Sequence, residues 1–206
     1  MYFDIGANIG RWTLANINNT SRIISVEASP NTFNSLLGNL GNNPKTVCLN
    51  YAVCNNNGED ITFYDSVANT LSTMNKEWLT SPSSRFHNTG YSVIKCKTIT
   101  IDKLIETYGM PELIKVDVEG GEYDCISSLT QKVNNLCFEW ASETNDITFK
   151  CLDYLYSIGF TSFCIQYEDN YTYRPNESLY TTDLNSIKNT IRQTTPKIHW
   201  GMIWCK

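Results

Sequence analysis

The sequence predicts a doubly wound α/β domain, with a sheet of seven mostly parallel strands and an inserted β ribbon. Three observations carry this. Short β-branched or aromatic runs alternate with amphipathic stretches of helical length, the pattern of a parallel sheet flanked by helices. A glycine-bearing turn, Gly6 to Gly10, follows the first run immediately. The rhythm breaks only once, between Glu59 and Thr100, where a pair of strand-like runs is joined by polar sequence.

In chain order, the expected strands are Tyr2–Ile5, Ile23–Glu27, Thr46–Val53, Glu112–Val118, Leu136–Trp140, Ser162–Tyr167 and His199–Cys205. Between them, Gly10–Asn18, Ser29–Leu40, Ile101–Tyr108, Glu122–Gln131 and Thr148–Ile158 carry apolar residues at i, i+3 and i+4, as Ile101, Leu104, Ile105 and Tyr108 do, and are expected to be helices. Ile61–Tyr64 and Ser92–Thr98 form the expected ribbon, joined by a segment holding Pro82 and Gly90. The whole reads as a single domain, residues 1–206. Its sheet begins at residue 2, which is compatible with excision from a longer multidomain chain.

Composition narrows the function. Sixteen Lys and Arg against 21 Asp and Glu give a net charge of −5, which offers no field to gather phosphate backbones or anionic lipid, so neither nucleic acid nor membrane is an expected partner. No apolar run approaches the roughly 20 residues of a membrane span, and the N-terminus of the chain as given lacks the pattern of a signal peptide. The eight cysteines form no C-x-x-C pair and sit mostly in apolar runs, as reduced core thiols would. A reducing, cytoplasmic compartment is expected. Four Asn-x-Ser/Thr sequons carry little weight in a chain with 23 asparagines.

Phe3-Asp4-Ile5-Gly6-Ala7-Asn8-Ile9-Gly10 places a strand, an acid and two glycines before a helix, so a ligand can approach the helix N-terminus closely. Glu27 ends the next strand, 23 residues after Asp4, where a carboxylate can accept both hydroxyls of a ribose. The loop lacks the G-x-G-x-x-G of dinucleotide sites and carries an acid, which suits a cationic ligand better than a pyrophosphate.

Asp4-Ile5-Gly6-Ala7-Asn8-Ile9-Gly10 followed by Val26-Glu27-Ala28-Ser29-Pro30 resembles the first two motifs of class I S-adenosylmethionine-dependent methyltransferases. Ile114-Lys115-Val116-Asp117-Val118-Glu119-Gly120-Gly121-Glu122 resembles the I-K-[IV]-D-V-E-G-x-E signature of the FkbM-type family, as does Ala52-Val53 with the later Gly-Glu turn and Ile61–Tyr64. The resemblance spans about residues 2–140 and implies a Rossmann-like sheet with its last strand antiparallel. It also implies that S-adenosylmethionine is the cofactor. Asp4, Gly6, Ala7, Asn8 and Gly10 would line its methionine portion, Glu27 would hold the ribose, and Ala28, Ser29, Asn50 and Ala52 would border the adenine.

Residues ending the fourth and fifth strands face the reaction in such a sheet, which nominates Asp117, Glu119 and Glu139. A carboxylate or histidine within reach of an acceptor hydroxyl can take its proton, so Asp117, Glu139 and His199 are the candidate bases. Asp117 and Glu139 are also candidate ligands for a divalent cation such as magnesium. Glu122 reads as a first-turn charge on a helix dipole, and His87 as a surface residue. The connection Glu168–Lys197 is aromatic, and Tyr171, Tyr173 and Arg174 are expected to orient a sugar, the alternative being a tyrosine surface patch that packs on another domain.

Family members commonly methylate hydroxyls of sugars or polyketide-like metabolites, some as one domain of a larger enzyme, so a glycosyltransferase domain is a conceivable covalent neighbour. The expected function is O-methylation of a neutral sugar or glycan, since an anionic acceptor would meet Asp117, Glu119 and Glu139. The alternatives are a polyketide-like acceptor, N-methylation, or a non-catalytic cofactor-binding module. Against N-methylation stands the missing Asn/Asp-Pro-Pro-Tyr/Phe motif.

Overall fold

The computed structural model describes residues 1–194 and 199–206. Ten strands occur among the described residues: β1 (Tyr2–Ile5), β2 (Ile23–Val26), β3 (Thr46–Leu49), β4 (Ala52–Val53), β5 (Asp60–Ser66), β6 (Tyr91–Ile99), β7 (Leu113–Val116), β8 (Asn135–Ala141), β9 (Phe163–Tyr167) and β10 (Trp200–Cys205). The helices are α1 (Arg11–Asn16), α2 (Pro30–Leu40), α3 (Lys76–Thr80), α4 (Ile101–Tyr108), α5 (Glu122–Ile126), α6 (Asn145–Ser157) and α7 (Leu184–Thr194).

Seven strands form the main sheet in the order β3-β2-β1-β7-β8-β10-β9. All neighbours are parallel except β10, which runs antiparallel to both β8 and β9. The chain winds from β1 outward to β3, then returns to place β7 on the other side of β1. A crevice at the carboxyl ends of β1 and β7 follows from that reversal.

Burial on both faces explains the nearly continuous apolar character of β1, β2 and β7. On one face Phe3, Ile5, Ile24, Ile114, Leu136 and Phe138 join the main core; on the other Tyr2, Ile23, Leu113 and Cys137 pack with Trp12 of α1. The helices begin where the sequence supplies caps: Ser29 Oγ accepts from the Thr32 amide (3.3 Å) ahead of Pro30, and Thr100 Oγ1 accepts from Lys103 (3.0 Å).

Four elements differ from the sequence reading. The run Thr46–Val53 splits, because the Asn50 side chain turns back to donate to the Glu27 and Ala28 carbonyls (2.8 and 3.0 Å). Its second half, β4, leaves the main sheet and pairs with β6, making the expected ribbon a three-stranded sheet ordered β4-β6-β5. Helix α5 ends at Ile126 rather than near Gln131, since Ser128 Oγ donates to the Cys125 carbonyl (2.6 Å) while accepting from the Ile101 amide (2.9 Å). The connection Glu168–Lys197 contains α7, whose Ile187 and Ile191 are buried. Its residues 195–197 lie outside the described residues.

Candidate active site

The sheet register places Asp4 of β1 directly opposite Lys115 of β7, both buried. Lys115 Nζ lies 3.2 Å from Asp4 Oδ1 and 3.3 Å from Asp117 Oδ2, and it donates to the Gly6 carbonyl (2.9 Å). Burial alone would lower the lysine's proton affinity, but the charges of Asp117 and Asp4 outweigh it and hold the ammonium protonated. On the helix side, Thr13 Oγ1 donates to Asp4 Oδ2 (2.7 Å) and lies 2.8 Å from Ser25 Oγ. One cation thus ties the glycine loop, the interior of β1 and the end of β7 together.

Gly6 is the point of closest approach. Its φ is +72°, and a Cβ there would stand 1.7 Å from the Asp117 carbonyl oxygen, so no other residue fits. The two loops that cross here open a cleft of about 570 Å³. Glu27 lines it while remaining 7% exposed. Its Oε2 accepts the Asn8 amide and its Oε1 the Ser29 amide, each at 2.9 Å, which leaves one lone-pair direction on each oxygen. Burial pushes this carboxyl up to about 7, against the pull of the two amides.

At the other end of the cleft, Asp117, Glu119 and Glu139 bring carboxylate oxygens within 4.8 Å of one another. Glu119 adopts a left-handed backbone (φ 56°), held by Thr73 Oγ1 donating to its carbonyl (2.7 Å). Glu122 is buried, and it does not act as a solvated first-turn charge. Its Oε1 accepts the Val118 and Gly120 amides (3.2 and 3.1 Å), fixing the loop that presents Glu119. Burial pushes Glu122 up to about 7. Glu119 and Glu139 are held well above the usual carboxylate range, first by burial and then by neighbouring acids, Asp117 and Glu122 in the case of Glu119, Glu119 and Asp117 in the case of Glu139; Trp78 Nε1, donating to Glu119 Oε2 (3.0 Å), pulls Glu119 back.

Of the residues nominated from sequence, Gly6, Ala7, Asn8, Glu27, Ala28, Ala52, Asp117, Glu119, Glu139 and Tyr171 line the cleft. The others stand behind it. Asp4 alternates to the α1 face and pairs with Lys115, and Gly10 packs on Leu36 and Leu40. Ser29 caps α2 and Asn50 braces the turn after Glu27. Tyr173 packs edge-on against Trp204, ring centroids 6.3 Å apart. Arg174 is not on the cleft lining: its guanidinium lies over the rings of Trp204, Trp12 and Tyr2 at 5.1–5.9 Å and donates to Asn16 Oδ1 (2.6 Å), clamping the connection onto α1. His199 stacks edge-on against Tyr167 (5.9 Å) rather than lining the cleft. Sequence reasoning passed over Lys115, Tyr51, Arg85, Phe86 and Trp200, although Lys115 sits inside the quoted signature.

The family model described as the methyltransferase FkbM domain matches residues 4–174. The chain belongs to this family. The match runs past the motifs into the Asp169–Arg174 segment, and with the strand order it makes the fold a class I, Rossmann-like methyltransferase domain. The hexuronic acid methyltransferase AglP of Haloferax volcanii is 31% identical over 142 residues, 66% of this chain and 52% of that protein. The chain therefore spans about half the length of this curated relative. Among solved structures, precorrin-6y C5,15-methyltransferase from Geobacter metallireducens GS-15 superposes with a TM-score of 0.49 at 11% identity, covering 100% of this chain and 78% of that one. A fibrillarin/Nop5p complex gives 0.46 at 10% identity, covering 99% and 69%.

Removing Lys115 leaves Asp4 charged and buried without a cation. Lys115→Met is expected to lower unfolding free energy by about 3–5 kcal/mol, read from the urea midpoint at constant slope. A loss under 1 kcal/mol would show that the Asp4–Lys115 pair does not hold the two loops.

Proposed function

We propose that this chain binds S-adenosylmethionine at the glycine-loop half of the cleft and methylates a hydroxyl of a sugar or glycan at the acidic half. The observation that carries the reading is the placement of a two-pronged, buried carboxylate, Glu27, in the same cleft as Asp117 and Glu139. When bound, S-adenosylmethionine supplies an electrophilic methyl group on a sulfonium.

The residues present fit that ligand. Glu27 keeps a free acceptor direction on each oxygen for the ribose hydroxyls. Ala28, Tyr51, Ala52 and Phe63 offer an apolar slot for the adenine, and Gly6, Ala7 and Asn8 border the methionine portion. Asp117, kept beside Lys115, adds a negative charge where a cationic ligand needs one. On the acceptor side, Glu139 takes the hydroxyl proton; burial and neighbouring acids raise its basicity above that of an ordinary carboxylate, which suits a general base. Phe86, Trp200 and Tyr171 supply flat surfaces for the CH faces of a sugar. The saccharide in the name of the Haloferax volcanii relative supports this acceptor class. The acidic trio works here without a divalent cation, because the Lys115 ammonium already occupies the position beside Asp117 Oδ2 and repels a second cation there. Eight free thiols favour a reducing, cytoplasmic site of action, and no helix among the described residues is long and apolar enough to cross a membrane.

Ribose binding needs ionised Glu27, whose pKa of about 7 in the free protein falls when hydroxyls donate to it. Affinity for 5′-methylthioadenosine, which has the ribose but not the titratable amino-acid portion of the cofactor, is therefore expected to rise about tenfold from pH 6 to pH 8. Glu27→Gln should bind more weakly and show no such slope in calorimetry. A pH-independent affinity in the wild type would remove Glu27 from the ribose site.

Glu139→Gln is expected to lower kcat by about 10²–10⁴ while leaving cofactor affinity within a few-fold, measured by transfer of labelled methyl to sugar acceptors, whereas Asp117→Asn should weaken cofactor binding as well. Excess chelator should leave wild-type turnover unchanged, whereas loss restored by magnesium would give the trio to a metal. Preferential labelling of peptides, amines or polyketide-like acceptors over saccharides would overturn the sugar reading.

A further inference from the structure

Arg85 enters the cleft from the inserted region between β5 and β6. Its guanidinium carbon lies 4.8 Å from the ring centre of Phe86 and 6.0 Å from those of Trp78 and Trp200, so it is stacked in an aromatic box. Its Nε is buried 3.4 Å from Glu143 Oε1, and the side chain is 18% exposed. Both Glu143 oxygens are buried with no hydrogen bond, so Arg85 is the cation that keeps that carboxylate in place. Yet no acceptor among the described residues bonds the terminal nitrogens of Arg85, although the residue lines the cleft beside Glu119. The other two basic residues lining the cleft differ from it: Lys115 is saturated by Asp4, Asp117 and the Gly6 carbonyl, and Arg11 is exposed at the start of α1.

The Nε of Arg85 is buried, but its terminal nitrogens are not among the buried polar atoms, so they stay open to the cleft instead of being spent on fixing the insertion. Here one edge is anchored on Glu143, the flat faces are held by rings, and the remaining edge is presented rigidly to the cavity. That is the arrangement for bidentate capture of a planar anion.

We propose that Arg85 is a specificity-determining residue that binds a carboxylate on the acceptor, so that the preferred acceptor is an acidic sugar of the uronic acid class. This rests on the sugar O-methylation reading above and names its substrate more closely. It replaces the neutral acceptor expected from the sequence. That expectation counted Asp117, Glu119 and Glu139 as three full negative charges, whereas burial beside Asp117 and Glu122 favours the protonated form of Glu119. A singly charged carboxylate matches one guanidinium. A phosphate dianion would leave a second charge facing Asp117.

The test compares two acceptor probes that differ only at one carbon, a methyl glucuronoside and the corresponding methyl glucoside, with glucose 6-phosphate as a third. Wild type is expected to favour the glucuronoside in kcat/KM, chiefly through KM. Arg85→Gln should reduce the glucuronoside-to-glucoside ratio about 100-fold, and Arg85→Lys should recover only part of it, since an ammonium gives up the planar fork. A purely structural Arg85 would depress both acceptors alike and leave the ratio intact, which overturns the proposal. If the variants fail to fold, competition in the wild type decides: free glucuronate inhibiting far better than glucose supports it, and equal inhibition overturns it. Preference for glucose 6-phosphate overturns the carboxylate assignment. Efficient transfer to the glucoside with no acid preference sinks this inference and leaves sugar O-methylation standing, whereas no transfer to any saccharide sinks both.

Discussion

The buried Lys115 ammonium is the constraint on which the site depends. It sits in the row of side chains formed by Ser25, Asp4, Lys115 and Cys137 across β2, β1, β7 and β8. A charge there is tolerable only with partners, and the partners it takes belong to different loops. Asp4 belongs to the first strand, Gly6 to the turn after it, and Asp117 to the end of β7. Electrostatics and sterics agree at this point, since the Gly6 turn also packs directly on the Asp117 backbone. The two halves of the cleft are therefore set against each other from beneath.

A second layer of carboxylates organises the loops above. Glu27 bridges the β1–α1 and β2–α2 turns through one amide from each, and Glu122 gathers the amides of its own approach loop. Each is a largely buried acid used as a backbone acceptor, and each has its proton affinity raised by that burial. The insertion completes the enclosure from the far side: Asn8 and Asn69 exchange hydrogen bonds across the mouth, and Trp78 reaches Glu119.

Much of this was legible in the sequence because central strands and their following turns carry strong local signals. The Asp4–Gly10 turn, Glu27 and the Asp117–Glu122 segment are contiguous motifs, and their side chains act within a few residues of the backbone that positions them. The side chains that lie elsewhere than the sequence suggests share a cause: the deciding partner is distant in sequence. Asp4 resembles a ligand-facing acid until β7 supplies Lys115 opposite it. Arg174 reads as a sugar contact until the rings of Tyr2, Trp12 and Trp204 converge beneath it. Arg85 carries no local signal, since its box is built from Trp78, Phe86 and Trp200. Helix α7 carries its apolar spacing at Leu184, Ile187 and Ile191, directly after a tyrosine-rich segment whose aromatic signal is the stronger of the two.

The position of β10 has a consequence for how the chain is made. Residues 200–205 insert between β8 and β9, so two strands synthesised earlier wait for a later one to join them. Until it emerges, the strand bearing Glu139 is an open edge and β9 has no neighbour in the sheet. The glycine-loop half of the cleft can assemble on a nascent chain once β7 has been translated; the half that includes Glu139 cannot. An incompletely synthesised chain would thus expose unpaired strand edges to chaperones or aggregation before the cleft was complete.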